Sequence, residues 1–144
     1  MSDPFRLSRF LEAQEEVFAD VLAELRAGRK TSHWMWFIFP QIEGLGHSST
    51  ARFFAIHSLD EARAYLDHAV LGARLRECTR LVNAVRSRSA SDIFGYPDDL
   101  KFRSSMTLFA HAGAENREFL NAIRRYYNGA FDARTLELCG LTPT

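Results

Sequence analysis

The run His33-Trp34-Met35-Trp36-Phe37-Ile38-Phe39-Pro40-Gln41, followed by Glu43-Gly44-Leu45-Gly46-His47-Ser48, holds both tryptophans and two of the five histidines of the chain. Imidazole, amide, carboxylate and hydroxyl groups beside large aromatic faces make up the mixture expected of a mostly apolar pocket with a few placed polar groups. No reaction follows from that mixture alone. The chain has no P-loop, GxGxxG, GxSxG or HExxH pattern. His33, His47, Glu43, Cys78 and Cys139 lack zinc-ligand spacing, so neither a metal nor a cofactor is expected. Lys101-Phe102-Arg103-Ser104 reverses the order of an SxxK motif. A helix there would bring Lys101 near Ser104 or Ser105, but a base-activated serine also needs an oxyanion site.

The elements that must position these groups read as helices. Leu7, Phe10, Leu11, Val17, Phe18, Val21, Leu22 and Leu25 form one stripe, predicting a first helix from Leu7 to Ala27 that stops at Gly28. Residues 29–49 have no such stripe and are broken by Pro40, Gly44 and Gly46, which predicts a compact loop with a short turn of structure at Trp34 to Phe39. A short helix is expected over Ser49 to Ala55. Ser58 and Glu61, at capping-box spacing, open another from Leu59 to about Leu66. Further helices are expected at Val70 to Arg86, a turn ending at Gly95 and capped by Ser91 or Asp92, and Asp98 or Asp99 to His111. Two more are expected at Asn116 to Tyr127 and Asp132 to Cys139. With no repeat and no alternating strand, the fold class is all-α: one domain over 1–144, of about six to eight helices, with an aromatic loop after the first.

Projecting these helices at ~100° per residue puts several polar side chains where burial is expected. Gln14 falls within the stripe of Phe10, Phe18, Val21 and Leu25. Arg74 projects between Cys78, Leu81 and Val85, while Lys101 and Ser105 share a flank with Leu108 and Ala112. A buried unpaired amide or hydroxyl costs ~1–3 kcal/mol and a charge more, so such groups persist with partners or with a use. The sequence therefore points to a pocket built from Gln14, His33, Trp34, Trp36, Gln41, Ser48, Arg74, Lys101 and Ser105, whose cations suit a small anionic ligand such as a phosphate or carboxylate. Each residue also has a structural reading. Gln14 would tie down a loop backbone, Arg74 would pair with Glu77 or Asp67 or snorkel, and Lys101 with Ser105 would mark a helix crossing. The aromatic run would be core, and His57, His68 and His111 solvated or capping residues.

Eighteen basic residues balance eighteen acidic ones, which argues against a general nucleic-acid or membrane binder while leaving room for a local basic patch. The composition, 47% apolar and 25% charged, is that of a folded globular chain. Two cysteines without CxxC spacing are too few for a disulfide framework, so a reduced, cytoplasmic setting is expected. No window approaches the ~18 apolar residues of a membrane span, and Asp3, Arg6 and Arg9 stand where a signal peptide needs an apolar core. Three functions compete: binding or processing of a small anionic ligand, a non-enzymatic interaction module or homodimer anchored by Trp34 and Trp36, and single-stranded nucleic-acid binding near Arg29, Lys30 and Arg52.

Phe10-Leu11-Glu12-Ala13-Gln14, Lys30 to Ser32, the nine residues His33 to Gln41, Leu45-Gly46-His47-Ser48 and Lys101 to Phe109 together resemble the family catalogued as domain of unknown function 1810. The likeness extends through Tyr65-Leu66-Asp67-His68, Val70-Leu71-Gly72 and Ile93-Phe94-Gly95, with Ala69 departing from the proline that the family pattern places after the histidine. It implies a compact, mainly α-helical domain and no particular reaction. A remoter likeness runs to the NADAR proteins, which are associated with NAD, ADP-ribose and N-glycosidic bond cleavage, through an early polar-aromatic motif and a later helix with a basic residue and a Met-to-Phe stretch. It implies binding or hydrolysis of a phosphorylated nucleoside, such as an ADP-ribose-like molecule, with Glu43 or Asp98 and Asp99 as carboxylates beside an oxocarbenium-like centre.

Overall fold

The apolar repeats fold as helices. The computed structural model describes residues 2–141, and among these residues are ten α-helices and no strand. In chain order they are α1 (Ser8–Glu15), α2 (Phe18–Arg26), α3 (Met35–Ile38), α4 (Ser49–Phe53), α5 (Leu59–Asp67), α6 (Leu71–Ala84), α7 (Ala90–Phe94), α8 (Asp98–Ala110), α9 (Arg117–Tyr127) and α10 (Ala133–Leu138). One isolated parallel β-bridge joins Ile42 to Ile56. The single-domain expectation over 1–144 also takes in residues 1 and 142–144, which lie outside the described residues.

The count exceeds six to eight because the first predicted helix is two and because the short turns expected at Trp34 to Phe39 and before Gly95 are themselves helices, α3 and α7. Val17 N–H bonds back three residues to the Gln14 carbonyl at 3.2 Å, closing a tight turn between α1 and α2. No proline or glycine marks the break, and the apolar stripe runs through it. The cause is tertiary: α1 packs on α3, whereas α2 packs on α6. Smaller corrections concern caps. Ser89, not Ser91 or Asp92, is the N-cap of α7, with Asp92 completing a capping box, and Pro97 precedes α8, so Asp98 and Asp99 lie inside its first turn. At α5 the Ser58 hydroxyl accepts from Glu61 N–H at 3.1 Å, but the Glu61 carboxylate does not return to Ser58. It turns inward to Arg9, at 2.8 Å. All five guanidinium N–H donors of Arg9 are occupied, by Glu61 and by the carbonyls of Phe5, Arg6, Phe53 and Ala55. That satisfaction is what makes an ion pair with 5% and 2% exposed side chains tolerable.

Helix α8 is the axis of the core. It touches α5, α7, α9 and α10, and every residue from Ser104 to Ala110 is buried. Its hydroxyls fix the chain before α10: Ser104 Oγ lies 3.1 Å from Asp132 Oδ2, and Thr107 Oγ1 accepts from Asp132 N–H at 2.9 Å. Near its start, Phe102 meets Phe39 edge-on at 5.0 Å and stacks on Phe94 at 4.7 Å, so three rings lock the aromatic segment, α7 and α8 together.

The aromatic segment enters through a tight reversal after α2. Gly28 at φ +73° ends the helix, with Gly28 N–H bonded to the Leu25 carbonyl and Arg29 N–H to the Glu24 carbonyl, the pair of bonds that defines a Schellman stop. The chain then folds back so that a single Glu24 oxygen accepts from Thr31 N–H at 2.6 Å, Ser32 N–H at 2.9 Å and the Trp34 indole N–H at 3.0 Å. Burial works against the charge of Glu24, but the bonds from Thr31, Ser32 and Trp34 outweigh it and hold the carboxyl at about 2, below its ordinary 4.5. A depressed acid stabilises the fold where it is ionised, above its unfolded value, and that contribution fades as pH falls from 4.5 towards 2. Glu24→Gln should therefore cost on the order of 1 kcal/mol at neutral pH, and the gap to the parent should close on acidification through that window. Urea melts at a series of pH values test it; a pH-independent gap would contradict the account. A second prediction concerns Gly72 in α6, where a Cβ would lie 2.0 Å from the Leu66 carbonyl oxygen at the end of α5. Backbone cannot rotate away as a side chain can, so Gly72→Ala should destabilise by at least ~1–3 kcal/mol in the same melts.

Candidate functional site

The two tryptophans have different roles. Trp34 is 1% exposed; besides its bond to Glu24 it packs on Phe39, and Lys30 Nζ sits 5.1 Å from its ring centre. Trp36, two residues on in α3, is partly exposed, with Lys101 Nζ 5.1 Å from its ring centre. One carboxylate links the two lysines: Asp98 Oδ2 lies 2.8 Å from Lys30 and Oδ1 3.2 Å from Lys101. The start of α8 is thereby clamped to the aromatic segment by charge as well as by rings. Lys30 N–H also bonds the Ile93 carbonyl at 2.7 Å, which adds α7 to the clamp.

Behind α3 lies a second set. Gln14, 1% exposed, donates to the Phe37 carbonyl at 2.8 Å and to the Tyr65 hydroxyl at 3.1 Å, and accepts from Arg74 at 3.2 Å. Arg74 lies over the Phe18 ring at 4.6 Å. Burial raises the Tyr65 phenol far above its ordinary value, so it stays protonated in this network. Gln14 thus meets the aromatic segment through its backbone, with Arg74 behind it, and not through an open cavity. Lys101 meets it at Trp36, and no hydrogen bond or ion pair joins the two sets among the described residues. Ser105 is fully buried, and its hydroxyl has no hydrogen-bond partner among the described residues.

Past α3 the chain forms a small cleft bordered by Trp36, Gln41, Glu43, Gly46, Arg52 and Phe54, with a free volume near 20 Å³, room for about one water. Ser48 caps α4, accepting from Ala51 N–H at 3.1 Å, and His33 is exposed. The parallel bridge sets the register here: Glu43 N–H bonds the Ile56 carbonyl at 2.8 Å and Ile56 N–H bonds the Gln41 carbonyl at 2.9 Å. Glu43 consequently lies beside His57, whose Nε2 is 3.1 Å from Glu43 and whose Nδ1 is 3.0 Å from the buried Glu61. The imidazole thus bridges an exposed carboxylate at the edge of the cleft and a buried one behind it, with the hydrogen bond on the Glu61 side.

Sequence reasoning set His57 aside as a solvated or capping residue, and it did not flag Arg9, Glu24 or Glu61 as site residues. The i,i+4 spacing of His57 and Glu61 is the available signal; Arg9 and Glu24 give none, because their partners are mostly backbone groups, joined by the side chains of Glu61 and Trp34, that only the fold brings in. His68 does cap, its Nδ1 accepting from Val70 and Leu71 N–H at 3.1 and 3.2 Å. Burial pushes the Cys78 thiol up to about 12, so it is no thiolate at neutral pH. Among the described residues no group of three or more His, Cys, Asp or Glu is arranged to hold a metal ion. No described helix is long and apolar enough to cross a membrane.

The same backbone occurs elsewhere. The crystal structure of the conserved hypothetical protein Rv1873 from Mycobacterium tuberculosis superposes with a TM-score of 0.95 at 56% sequence identity, over 97% of this chain and 100% of that one. No curated protein sequence matches. A family model, described as protein of unknown function (DUF1810), matches residues 4–139, and with the match spanning the aromatic segment, the lysine clamp and the buried α8, the chain belongs to that family.

Proposed function

We propose that the protein binds a small anionic ligand carrying a flat ring, of the nucleotide or ADP-ribose-like class, over the partly exposed face of Trp36. The observation that carries this reading is the position of that indole, with Lys101 at 5.1 Å and a cleft bearing Gln41 and Arg52 beside it. An indole face accepts a base or sugar ring, a guanidinium suits phosphate oxygens, and an amide reads a polar edge. Arg52 and Glu43 are exposed and can rotate aside, enlarging a cleft that at rest holds about one water. His33 and Ser48 flank the site. Trp34 and Gln14, the latter braced by Arg74, support it from behind by fixing α3, while Ser105 is buried within α8.

Thermal-shift measurements with AMP, ADP-ribose and ribose 5-phosphate test the reading. A ligand at 100 times its dissociation constant should stabilise the native protein by ~2.7 kcal/mol, and Trp36→Ala or Lys101→Ala should reduce that gain at least tenfold in affinity. Equal shifts in parent and variants, or none in the parent, would refute it. A module that docked through both indoles would need Trp34 at the surface, and Trp34 is 1% exposed.

A second reading adds acid–base chemistry at the same cleft, favoured by Glu43–His57–Glu61. In it Glu61 orients the ring and the Glu43–His57 pair moves one proton to or from the ligand. His57→Gln should then abolish turnover of a bound ligand while its affinity stays within threefold, as read by ligand NMR over time. Unchanged turnover would reject the second reading and leave the first intact.

A further inference from the structure

We propose that the surface groove between α6 and α9 is a second anion site, one that takes a short linear oligophosphate. The proposal rests on none of the residues around Trp36. Arg80 and Asn83 of α6 face Arg117, Asn121 and Arg124 of α9 across it. On α9 these three stand at i, i+4 and i+7, hence on one face, and Arg117 to Arg124 spans about 10 Å along the helix axis.

The charge in the groove is uncompensated. Its one carboxylate, Glu118, is held at 2.8 Å by Arg76, which is not among the groove's lining residues, while Asn83 braces the floor by donating to the Glu118 carbonyl at 3.0 Å. Among the described residues Arg80, Arg117 and Arg124 form no ion pair and no side-chain hydrogen bond, and all three are exposed. From Cys78 to Ser91 the sequence contains no acidic residue, and Arg86 and Arg88 extend the positive surface beyond the end of α6. The chain as a whole has a formal charge of zero, so this excess is local.

Helix electrostatics explain only part of the cluster. Arg124 lies in the last turn of α9, where a cation is favourable. Arg117 is the first residue of α9, where the helix dipole disfavours a positive charge, and Arg80 is interior to α6. Grouping them costs self-repulsion that a bound polyanion would relieve. Guanidinium groups pair bidentately with phosphate oxygens, and three of them over about 10 Å match consecutive phosphates. No aromatic ring lines the groove, so it offers no stacking platform for a base. The phosphate chain itself is the recognised feature.

Calorimetric titration of the full chain with sodium tripolyphosphate, orthophosphate and a short single-stranded oligonucleotide tests this, with amide NMR shifts locating the contact. Tripolyphosphate should bind at least tenfold tighter than orthophosphate, weaken steeply with added salt, and shift amides of α6 and α9. Arg80→Gln/Arg117→Gln/Arg124→Gln should lose that binding while keeping the parent melting curve, because all three side chains are exposed; Trp36→Ala should bind tripolyphosphate as the parent does. Equal affinity for tripolyphosphate and orthophosphate, retention of binding by the triple variant, or loss of it in Trp36→Ala would overturn the proposal. Tighter binding of the oligonucleotide would replace it with a nucleic-acid surface. A salt-sensitive rise in mass abolished by the triple variant, without tripolyphosphate binding, would replace it with self-association.

Discussion

A single carboxylate oxygen of Glu24 receives two backbone N–H groups and the indole N–H of Trp34, and the geometry of the aromatic segment follows from that convergence. The Schellman stop at Gly28 supplies the reversal that makes it reachable, and the bond to Trp34 fixes which indole is buried. With Trp34 inward at the N-terminal edge of α3, Trp36 follows two residues later on a different side of the one-turn helix, since two residues rotate the direction by ~200°. Core and surface roles are thereby assigned to adjacent tryptophans by one anchoring interaction.

The charged side chains divide by what holds them. Arg9 and Glu61 are fully satisfied inside the fold, and Gln14 with Arg74 braces α3 through the Phe37 carbonyl. Such groups would lose hydrogen bonds by turning to a ligand, and an orphaned buried polar group costs ~1–3 kcal/mol. Lys101 is only partly enclosed and Glu43 is exposed, so their partners can be exchanged at small cost, and Arg52 is exposed beside them. Ser105 differs from both sets. Unlike Ser104 and Thr107, whose hydroxyls reach the i−4 carbonyls of Leu100 and Arg103, it makes no such bond, and it sits one turn beyond Lys101 in the most enclosed helix of the fold.

The helical class and most helix spans were legible because one-sided burial imprints a 3.6-residue period; α6, α9 and α10 lie within two residues of expectation. The split of α1 from α2 was not, because its cause is the divergence of packing partners at Glu15 to Val17 and not a local breaker. The full burial of α8 was also hidden: the projection put Ser105 where burial is expected, but Ser104 and Thr107 are enclosed as well because α5, α7, α9 and α10 all pack on this helix. At the site, the spacing rules found Gln14 with Arg74 and placed Lys101 towards the aromatic run, yet they could not tell one cavity from two separate contacts with α3. That distinction depends on which face of a four-residue helix each partner reaches, and four residues are too few to show a period.

The sharing of Asp98 bears on the anion binding proposed at Trp36. Lys30 is the more enclosed of its two partners, with an 8% exposed side chain against 26% for Lys101, and its contact is the shorter, 2.8 against 3.2 Å. An arriving anion can therefore draw Lys101 away while Asp98 stays paired with Lys30, so the link between α8 and the aromatic segment survives ligand entry. Were Asp98 paired with Lys101 alone, the same movement would strand a partly buried carboxylate and oppose binding. On the proposed function, the second lysine would separate the structural task from a ligand-facing one, leaving a cation available at the edge of a packed aromatic cluster.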